Sequence, residues 1–497
     1  MTTSTLPIIS CTNNVSFSTK SSPRNFSRPS QIFLNPSGAA ARRGDVKIRC
    51  AASSEGRENP DSLSEAKLDR RNVLLGLGGL YGAYNLSGGD DLVPYSCCPP
   101  ITDTTNVEYY KIPSFSKLNV RPAAHAVDDE YVEKFKTVIQ KMKDLPDTDQ
   151  RSFYNQAKGM VFPEIFEEQP LYDPLRNQDH RGGAVLDLAY AGDETSASDF
   201  QKVKNNLAVM YRQMVTNAPC PLLFFGNPIR GETGFTGSGM GTIENIPHNS
   251  VHRWVGDPRT PHNEDMGNFY SAARDPVFYC LHSNVDRMWG IWKTLGGKRK
   301  DITDPDWLQT EFLFYDETNT PVKVKVQDCL DNKKLGYTFQ KMPTPWKNFK
   351  PTRKRRAKLR SPASVPASTD VLPTNLDKII TFNVARTATE KEEVLNLELA
   401  YDDTQFIRFD AFLNEDEDVN TVELDRIEYA GSFSNLPHVH EGGSSTEPKK
   451  TTFSVAISEL LQDLGLEGED KVLVTLVPKA GCNLVTVNSA NITTVDC

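Results

Sequence analysis

Apolar residues recur at helical spacing in the first half of the chain. Within "DDEYVEKFKTVIQKMKDL" they stand three or four positions apart, which predicts an amphipathic helix from about Asp128 to Leu145. Its predicted apolar face consists of Tyr131, Phe135, Val138, Ile139 and Met142. A loop-like stretch over 159–196 precedes a second predicted helix over 197–216. This part of the chain is therefore predicted to be mainly α-helical.

A further helix is predicted in "DPVFYCLHSNVDRMWGIW". Asp275-Pro276 is a favourable helix start. The residues that then follow the helical period are Phe278, Leu281, Val285, Met288 and Trp292. His282 would project from this helix toward an earlier stretch, "IPHNSVHRWVGDP", in which His248 and His252 stand four residues apart. Two imidazoles at that spacing lie one turn apart on the same face of a helix.

The pattern changes near the C-terminus, over residues 376–497. Six short runs there alternate between apolar and polar residues and are separated by turn residues: "KIITFNVAR", "VLNLELAY", "QFIRFDAFL", "TVELDRIEYAG", "TTFSVAIS" and "KVLVTLVPK". Such runs predict an antiparallel β-sandwich. The predicted fold is therefore a mainly α domain followed by an antiparallel β-sandwich C-terminal domain.

A basic segment, "FKPTRKRRAKLRSPASVPAST", joins the two predicted domains within residues 348–375. It is rich in Pro and Ser and has no periodicity, so it is predicted to be a linker that proteases reach easily. A polybasic nuclear signal is the alternative, and the export signals near the N-terminus disfavour it. We expect trypsin to cut first between Lys350 and Arg360 and to leave a folded fragment of roughly the C-terminal 120 residues.

The N-terminal segment, residues 1–95, has the character of targeting signals. Met1 to Gly44 contains no acidic residue and is rich in Ser, Thr, Asn and Arg, which is typical of a plastid transit peptide. A disordered tail is the alternative. Arg70 and Arg71 then precede a Gly-rich apolar run, which resembles a twin-arginine signal for the thylakoid lumen. The run is too short to span a bilayer, so the mature protein is predicted to have no membrane span.

Charge and cysteine content exclude some classes of protein. The 497 residues carry a formal net charge of -9, and nucleic-acid binders are usually basic. None of the 9 cysteines forms a CxxC pair, which disfavours a zinc ribbon or a thioredoxin-like motif. Only 8 histidines occur in the chain. The grouping of His248, His252 and His282 is therefore informative, and three imidazoles from two helices suit copper, zinc or iron.

The residues around these histidines resemble a known family. "HNSVHRWVGD" followed by "EDMGNFYSAARDPVFYCLHSNVDRMW" is similar to the second copper site of plant polyphenol oxidases, the type 3 copper proteins also called catechol oxidases or tyrosinases. The motifs "SCCPP", "LNVRPAAH", "QPLYDPLRN", "PDWLQTEFLFYDE", "KLGYTFQ" and "EYAGSFSNLPH" follow in the family's order. The resemblance implies a tyrosinase-like copper domain over 96–347 and a C-terminal domain that shields the site. It also implies oxidation of o-diphenols to o-quinones by O2.

The resemblance implies roles for individual residues. His248, His252 and His282 would ligate copper. Glu244 matches an acid that orients a water, Asn249 a position associated with phenol deprotonation, and Phe269 an aromatic gate above the metal. From the residues alone, Glu244 would be interpreted as a helix cap or surface carboxylate, Asn249 as a helix-start polar residue and Phe269 as a core residue. The remaining histidines are interpreted as surface or loop residues: His125, His180, His262, His438 and His440.

The first copper site of the family has no counterpart in this sequence. The three histidines that hold this first copper in the family would fall at the junction Lys158-Gly159, where the chain passes from "YNQAK" to "GMVFPEIF". The chain would then keep only half of the four-helix bundle that the family builds around its two coppers. Cys97 and Cys98 also lack their family disulfide partners. Leu281 stands where the family often has another histidine.

Three hypotheses remain open for the activity. The chain is an o-diphenol oxidase that works through an unseen arrangement such as a swapped dimer, or it is an inactive variant that binds at most one copper, or it is a mononuclear metal protein. Loss of half a bundle also predicts a weakened fold. If ~400 Å² of apolar surface is orphaned, the loss is on the order of 10 kcal/mol.

Overall fold

The structure is a computed structural model. It describes residues 107–144, 164–181, 184–227, 239–269, 271–316, 318, 320–351, 365–387, 389–414, 423–438 and 448–497. All of these belong to one unit, Ala66–Cys497. The predictions for the targeting signals, for Cys97 and Cys98, for the Lys158-Gly159 junction, for His440 and for most of the linker lie outside the described residues.

The helices predicted from periodicity are present. The helix predicted from about Asp128 begins one residue later, because the Asp128 side chain accepts a hydrogen bond from the Tyr131 amide at 2.8 Å and caps it. The described α-helices are α1 (Asp129–Lys143), α2 (Asp199–Tyr211), α3 (Pro221–Phe225), α4 (Ser250–Val255), α5 (Val277–Thr294), α6 (Pro305–Leu308), α7 (Ser368–Val371) and α8 (Ser458–Leu464). Two π-helical segments precede α3 and α4, at Arg212–Thr216 and Glu244–Asn249.

Short 3-10 turns occupy much of the remaining helical region. They are Ala124–Ala126, Glu164–Glu167, Gln178–His180, Ala272–Arg274, Val326–Cys329, Pro345–Asn348 and Cys482–Leu484. None of the helices in the described ranges combines the length and apolarity needed to cross a lipid bilayer.

The alternating C-terminal runs form two antiparallel sheets. The described strands are β1 (Asn119–Arg121), β2 (Glu311–Tyr315), β3 (Pro321–Lys325), β4 (Tyr337–Phe339), β5 (Thr374–Asn375), β6 (Ile380–Ala385), β7 (Glu392–Tyr401), β8 (Ile407–Leu413), β9 (Tyr429–Asn435), β10 (Lys449–Ala456), β11 (Lys471–Ala480) and β12 (Val485–Val495). One four-stranded sheet has the order β10-β7-β12-β5 and the other β6-β11-β8-β9. Strands β1 and β4 pair in parallel, and β2 and β3 pair in antiparallel fashion. Helices followed by antiparallel sheets match the predicted order.

The two four-stranded sheets share one apolar core. Alternate residues of β7, such as Leu395 and Leu397, are fully buried against residues of the other sheet, such as Phe409 and Val474. The alternation that predicted these strands therefore also identifies the faces that meet.

Strands β8 and β9 are buried on both faces. Every residue of Ile407–Leu413 is buried, including Arg408 and Asp410 on the face opposite the shared core. The Arg408 guanidinium donates to the backbone oxygen of Leu188 at 2.7 Å and to the Ser250 hydroxyl at 3.1 Å. The helical region therefore covers this sheet, and side-chain hydrogen bonds satisfy the polar face.

A disulfide that the sequence did not reveal links the two regions. Cys220, just before α3, is bonded to Cys497, the last residue of the chain. The cysteines lie 277 positions apart, so their spacing carries no signal. Among the described cysteines, Cys280, Cys329 and Cys482 are free thiols.

The disulfide changes the expected result of limited proteolysis. A single trypsin cut between Lys350 and Arg360 leaves the C-terminal fragment bonded through Cys497 to Cys220. On a non-reducing gel the clipped protein should run as one species, and dithiothreitol should separate it into two. The Cys220→Ser variant, cut in the same way, should separate without reductant. Separation of the wild-type fragments on the non-reducing gel would contradict the bond.

Candidate metal centre

The structure brings the three predicted histidines together. Ile246 has extended backbone angles (φ -146, ψ 130), and the kink there directs the following residues into α4. His248 and His252 lie after this kink, and His282 lies in the second turn of α5. One ring nitrogen from each histidine lies within 4.8 Å of the others. The Nε2 atoms of His248 and His282 are 2.9 Å apart.

Each imidazole is oriented through its Nδ1 atom. His252 Nδ1 lies 2.6 Å from the backbone oxygen of Met266, and His282 Nδ1 lies 3.1 Å from that of Phe278. His248 Nδ1 lies 2.9 Å from the side-chain oxygen of Asn249. Carbonyl oxygens only accept hydrogen bonds, so each Nδ1 carries the proton. The lone pair of each ring is then on Nε2, the arrangement found in metal-ligating histidines.

The three converging ring nitrogens fit a metal ion. His252 Nε2 is fully buried and has no hydrogen-bond partner among the described residues. Burial and the neighbouring His248 lower the pKa of His252 well below its ordinary value, so the ring is neutral, as a ligand must be. The Nε2 atoms of His248 and His282 face each other at hydrogen-bond distance, and a proton or a cation between them stabilises this arrangement. Three neutral imidazoles suit a borderline metal such as copper.

Glu244 lies at the start of the segment that carries His248. It is the first residue of the π-helical segment Glu244–Asn249. Its side chain keeps a little accessible surface, but burial of the carboxyl group raises its pKa to about 7, and the positive charge of Lys449 opposes the rise. At neutral pH this carboxyl group is therefore partly protonated.

Asn249 is fixed by contacts on both sides. Its side-chain oxygen faces His248, and its amide donates to the backbone oxygen of Ser434 in β9 at 2.6 Å. The Ser434 amide in turn donates to the Asn245 side chain at 3.2 Å. Asn249 directly precedes α4, so it is a helix-start residue as the residues alone suggested, but its side chain makes no cap hydrogen bond to the helix. It joins the histidine-bearing segment to the C-terminal sheet.

Phe269 and His438 pack against each other. Their ring centroids are 4.1 Å apart. His438 follows β9, so a residue of the C-terminal region covers the aromatic ring predicted as a gate. His438 is therefore engaged in a ring contact, although its place in a loop was predicted correctly.

His180, interpreted as a surface or loop residue, lies in the short 3-10 turn Gln178–His180 but is buried rather than on the surface. Its side chain is buried, and its ring stacks on Trp254 at 4.2 Å. His180 Nδ1 lies 2.5 Å from the backbone oxygen of Trp254, and Nε2 lies 2.6 Å from the Glu194 carboxylate. The partner oxygen lies at the end of α4, 74 residues away, so local spacing gave no signal of this contact. His125 is exposed and His262 partly exposed, as predicted.

Replacement of Glu244 should change the pH dependence of stability. The folded-state pKa of about 7 exceeds the ordinary value of 4.5, so the neutral carboxyl favours folding below pH 4.5 and this contribution is lost as the pH rises to about 7. Above pH 7, Glu244→Gln should be more stable than the wild type by at most about 3 kcal/mol, since one pKa unit corresponds to about 1.4 kcal/mol. Urea midpoints at pH 5, 6, 7 and 8 measure this. Exposed Glu130→Gln is the control, and parallel wild-type and Glu244→Gln curves would contradict the prediction.

Comparison with known proteins decides the family. The common central domain of tyrosinase matches residues 128–295, the polyphenol oxidase middle domain 301–352 and the chloroplastic polyphenol oxidase C-terminal domain 372–494. Chloroplastic polyphenol oxidase E of Solanum lycopersicum is 43% identical over 598 positions, which cover 100% of this chain and 99% of the relative. The chain is a member of the plant polyphenol oxidase family. Chloroplastic catechol oxidase B of Solanum tuberosum is 42% identical over the same share of each chain.

Solved polyphenol oxidase structures share the fold. Latent apple tyrosinase has a TM-score of 0.70 at 36% identity, covering 78% of this chain and 99% of that one. Latent aurone synthase from a natural source has a TM-score of 0.75 at 32% identity, covering 83% and 95%. Polyphenol oxidases are copper oxidoreductases that use O2 and phenolic substrates.

The alignment with the tomato polyphenol oxidase contains long gaps. Its 598 positions include all 497 residues of this chain, so at least 101 positions, 598 less 497, face no residue here. The relative therefore has at least 101 residues that have no counterpart in this chain.

Proposed function

We propose that this chain derives from copper-dependent oxidases that convert o-diphenols to o-quinones, and that it binds a single copper ion through His248, His252 and His282. The convergence of three Nε2 lone pairs carries the copper assignment. Copper bound there would supply a one-electron redox centre. Quinone formation removes two electrons, and in the family two copper ions share that task. By itself, this chain is then inactive toward catechols.

The position of the missing segment supports the single-copper proposal. We place it at Lys158-Gly159, where the sequence passes directly between two family motifs. Removal of at least 101 aligned positions is ample to remove a pair of histidine-bearing helices. On this proposal the helical domain is the remnant of a four-helix bundle, and the two four-stranded sheets form a sandwich.

Three residues near the histidines would have supporting roles. Asn249 would hold the Nδ1 proton of His248 and thereby direct the opposite lone pair to the metal. Glu244, with its pKa of about 7, would orient a water and exchange a proton with it. Phe269, packed on His438, would limit access from the side of the C-terminal region.

The domain boundaries and the destination are part of the same proposal. Residues 1–95 would direct the chain to the plastid and then to the thylakoid lumen. The mature protein would comprise 96–347, the linker 348–375 and the shielding domain 376–497. Relatives named chloroplastic support the plastid.

The second candidate function is retained catechol oxidation in an assembly such as a swapped dimer. Identity of 43% along the whole relative favours it. The test uses residues 96–497, loaded with Cu(II) and gel-filtered, to measure copper per chain, oxygen uptake with catechol and the mass of the assembly. One copper per chain without oxygen uptake is expected. Two coppers per chain with turnover would overturn the single-copper proposal, and turnover confined to a dimer would establish the second candidate.

A further inference from the structure

A large cleft opens beside the three histidines. It has a volume of about 1270 Å³ and lies between α1, α5 and the paired strands β1 and β4. Its walls include several aromatic rings, among them Phe135, Phe225, Tyr279, Trp289 and Phe339. His282, one of the candidate ligands, also lines it. Pockets for small molecules occupy about 300–1,000 Å³ and are mostly apolar with few polar groups. This cleft is somewhat larger than that range and has the mostly apolar lining of such a pocket.

One carboxylate in the cleft is already paired. The Asp286 carboxylate accepts from Arg121 at 3.2 Å and from the Tyr337 hydroxyl at 2.6 Å. The Arg121 guanidinium also lies over the Tyr337 ring, 3.5 Å from its centroid. Arg121, Asp286 and Tyr337 therefore satisfy one another's hydrogen bonds and together contribute no net charge to the cleft.

Arg287 lines the same cleft without an acidic partner. Its guanidinium donates to the side-chain oxygen of Asn284 at 3.3 Å, and no carboxylate pairs with it in the described part of the chain. Burial lowers the pKa of Arg287, and no neighbouring acid opposes this. A partly buried guanidinium recognises a carboxylate or sulfonate through paired hydrogen bonds.

We propose that the cleft binds a planar aromatic anion, with its rings between the aromatic walls and its acidic group on Arg287, next to His282. The rings would bury apolar surface on both faces. The charge of Arg287 selects an anion over a neutral or cationic ligand of the same shape. An engineered apolar cavity takes up benzene on the same physical grounds. The site is separate from the three-nitrogen metal centre and shares only the wall at His282.

Two dyes of similar shape test the proposal on residues 96–497. One is 8-anilinonaphthalene-1-sulfonate, an aromatic anion, and the other is uncharged N-phenyl-1-naphthylamine. The anion should bind once per chain, and Arg287→Met should weaken it at least tenfold while leaving the neutral dye unchanged. Arg287→Lys should restore most of the anion affinity. Exposed Arg259→Met is the control, and Ser283→Trp, which places a ring in the cleft, should weaken both dyes.

A second readout locates the dye. Since His282 lines the cleft, Cu(II) bound by the three histidines should quench the dye strongly, whereas Zn(II) should not. His252→Ala should remove the quenching and leave dye affinity unchanged. This readout alone rests on the proposed metal binding, so its failure together with a normal Arg287 result would refute only the metal assignment.

Three results would overturn the aromatic-anion site. The first is equal loss of both dyes in Arg287→Met. The second is binding of many dye molecules per chain without saturation, which indicates general exposed apolar surface. The third is a concentration-dependent dimer that excludes the dye, which would make a second copy of the chain the occupant of the cleft.

Discussion

His252→Ala should abolish stoichiometric copper binding. His252 is the most enclosed of the three histidines, and its buried Nε2 has no other partner among the described residues. Its Nδ1 contact with the Met266 backbone oxygen fixes the orientation of the ring. Changes to outer partners of metal ligands typically cost 10–100-fold in affinity, so loss of the ligand itself should cost more than about a hundredfold. Equilibrium dialysis at pH 7.5 with a competing chelator measures this.

His262→Ala is the matched control for that variant. His262 lies in the same region of the chain but is partly exposed and outside the cluster. Its replacement should leave copper affinity unchanged. Asn249→Leu should give an intermediate loss, because it removes the acceptor that orients His248 while keeping all three imidazoles. Wild-type affinity in His252→Ala would refute the ligand set. A helical circular dichroism signal equal to that of the metal-free wild type would show that His252→Ala is folded, so its loss of copper would not result from unfolding.

The sequence predicted the members of the histidine cluster but not what orients them. A spacing of four residues and a helical period around His282 were sufficient to place three imidazoles near one another. The acceptors on Met266 and Phe278 are backbone oxygens, which carry no residue signature. The contact of His180 with Trp254 joins segments 74 residues apart. Such partners depend on the tertiary fold.

The fold was predicted where local pattern decides it. Apolar alternation identified β7 and β11, because one face of each strand packs in the shared core. It did not identify β12, whose "VTVNSANITTV" is largely polar and partly exposed. Nor did it show that the Arg408 and Asp410 face of β8 is buried, since polar alternate residues normally face water. Here the oxygen of Leu188 and the Ser250 hydroxyl replace that water.

Asp275→Leu should strongly destabilise the helical region. Asp275 and Arg176 form a fully buried ion pair with two hydrogen bonds, Nε to Oδ2 at 2.7 Å and Nη2 to Oδ1 at 2.6 Å. Asp275 also accepts the Val277 amide at 2.8 Å, at the start of the helix that carries His282. Removal of one partner of a buried pair typically costs about 3–5 kcal/mol, because the other charge remains buried. Urea unfolding followed by tryptophan fluorescence measures the cost.

The double variant Arg176→Met/Asp275→Leu separates the buried charge from the lost contacts. Replacement of both partners by apolar side chains often restores stability, so the double variant should be more stable than Asp275→Leu alone. Lys134→Met, which breaks an exposed pair with Glu130, should leave the midpoint unchanged. A double variant as unstable as the single one would show that the helix-start bond to Val277, rather than the stranded guanidinium, dominates. Asp275 bonds the Val277 amide at the start of α5, and α5 also carries His282. The copper affinity of the double variant therefore measures how much this bond contributes to the position of His282.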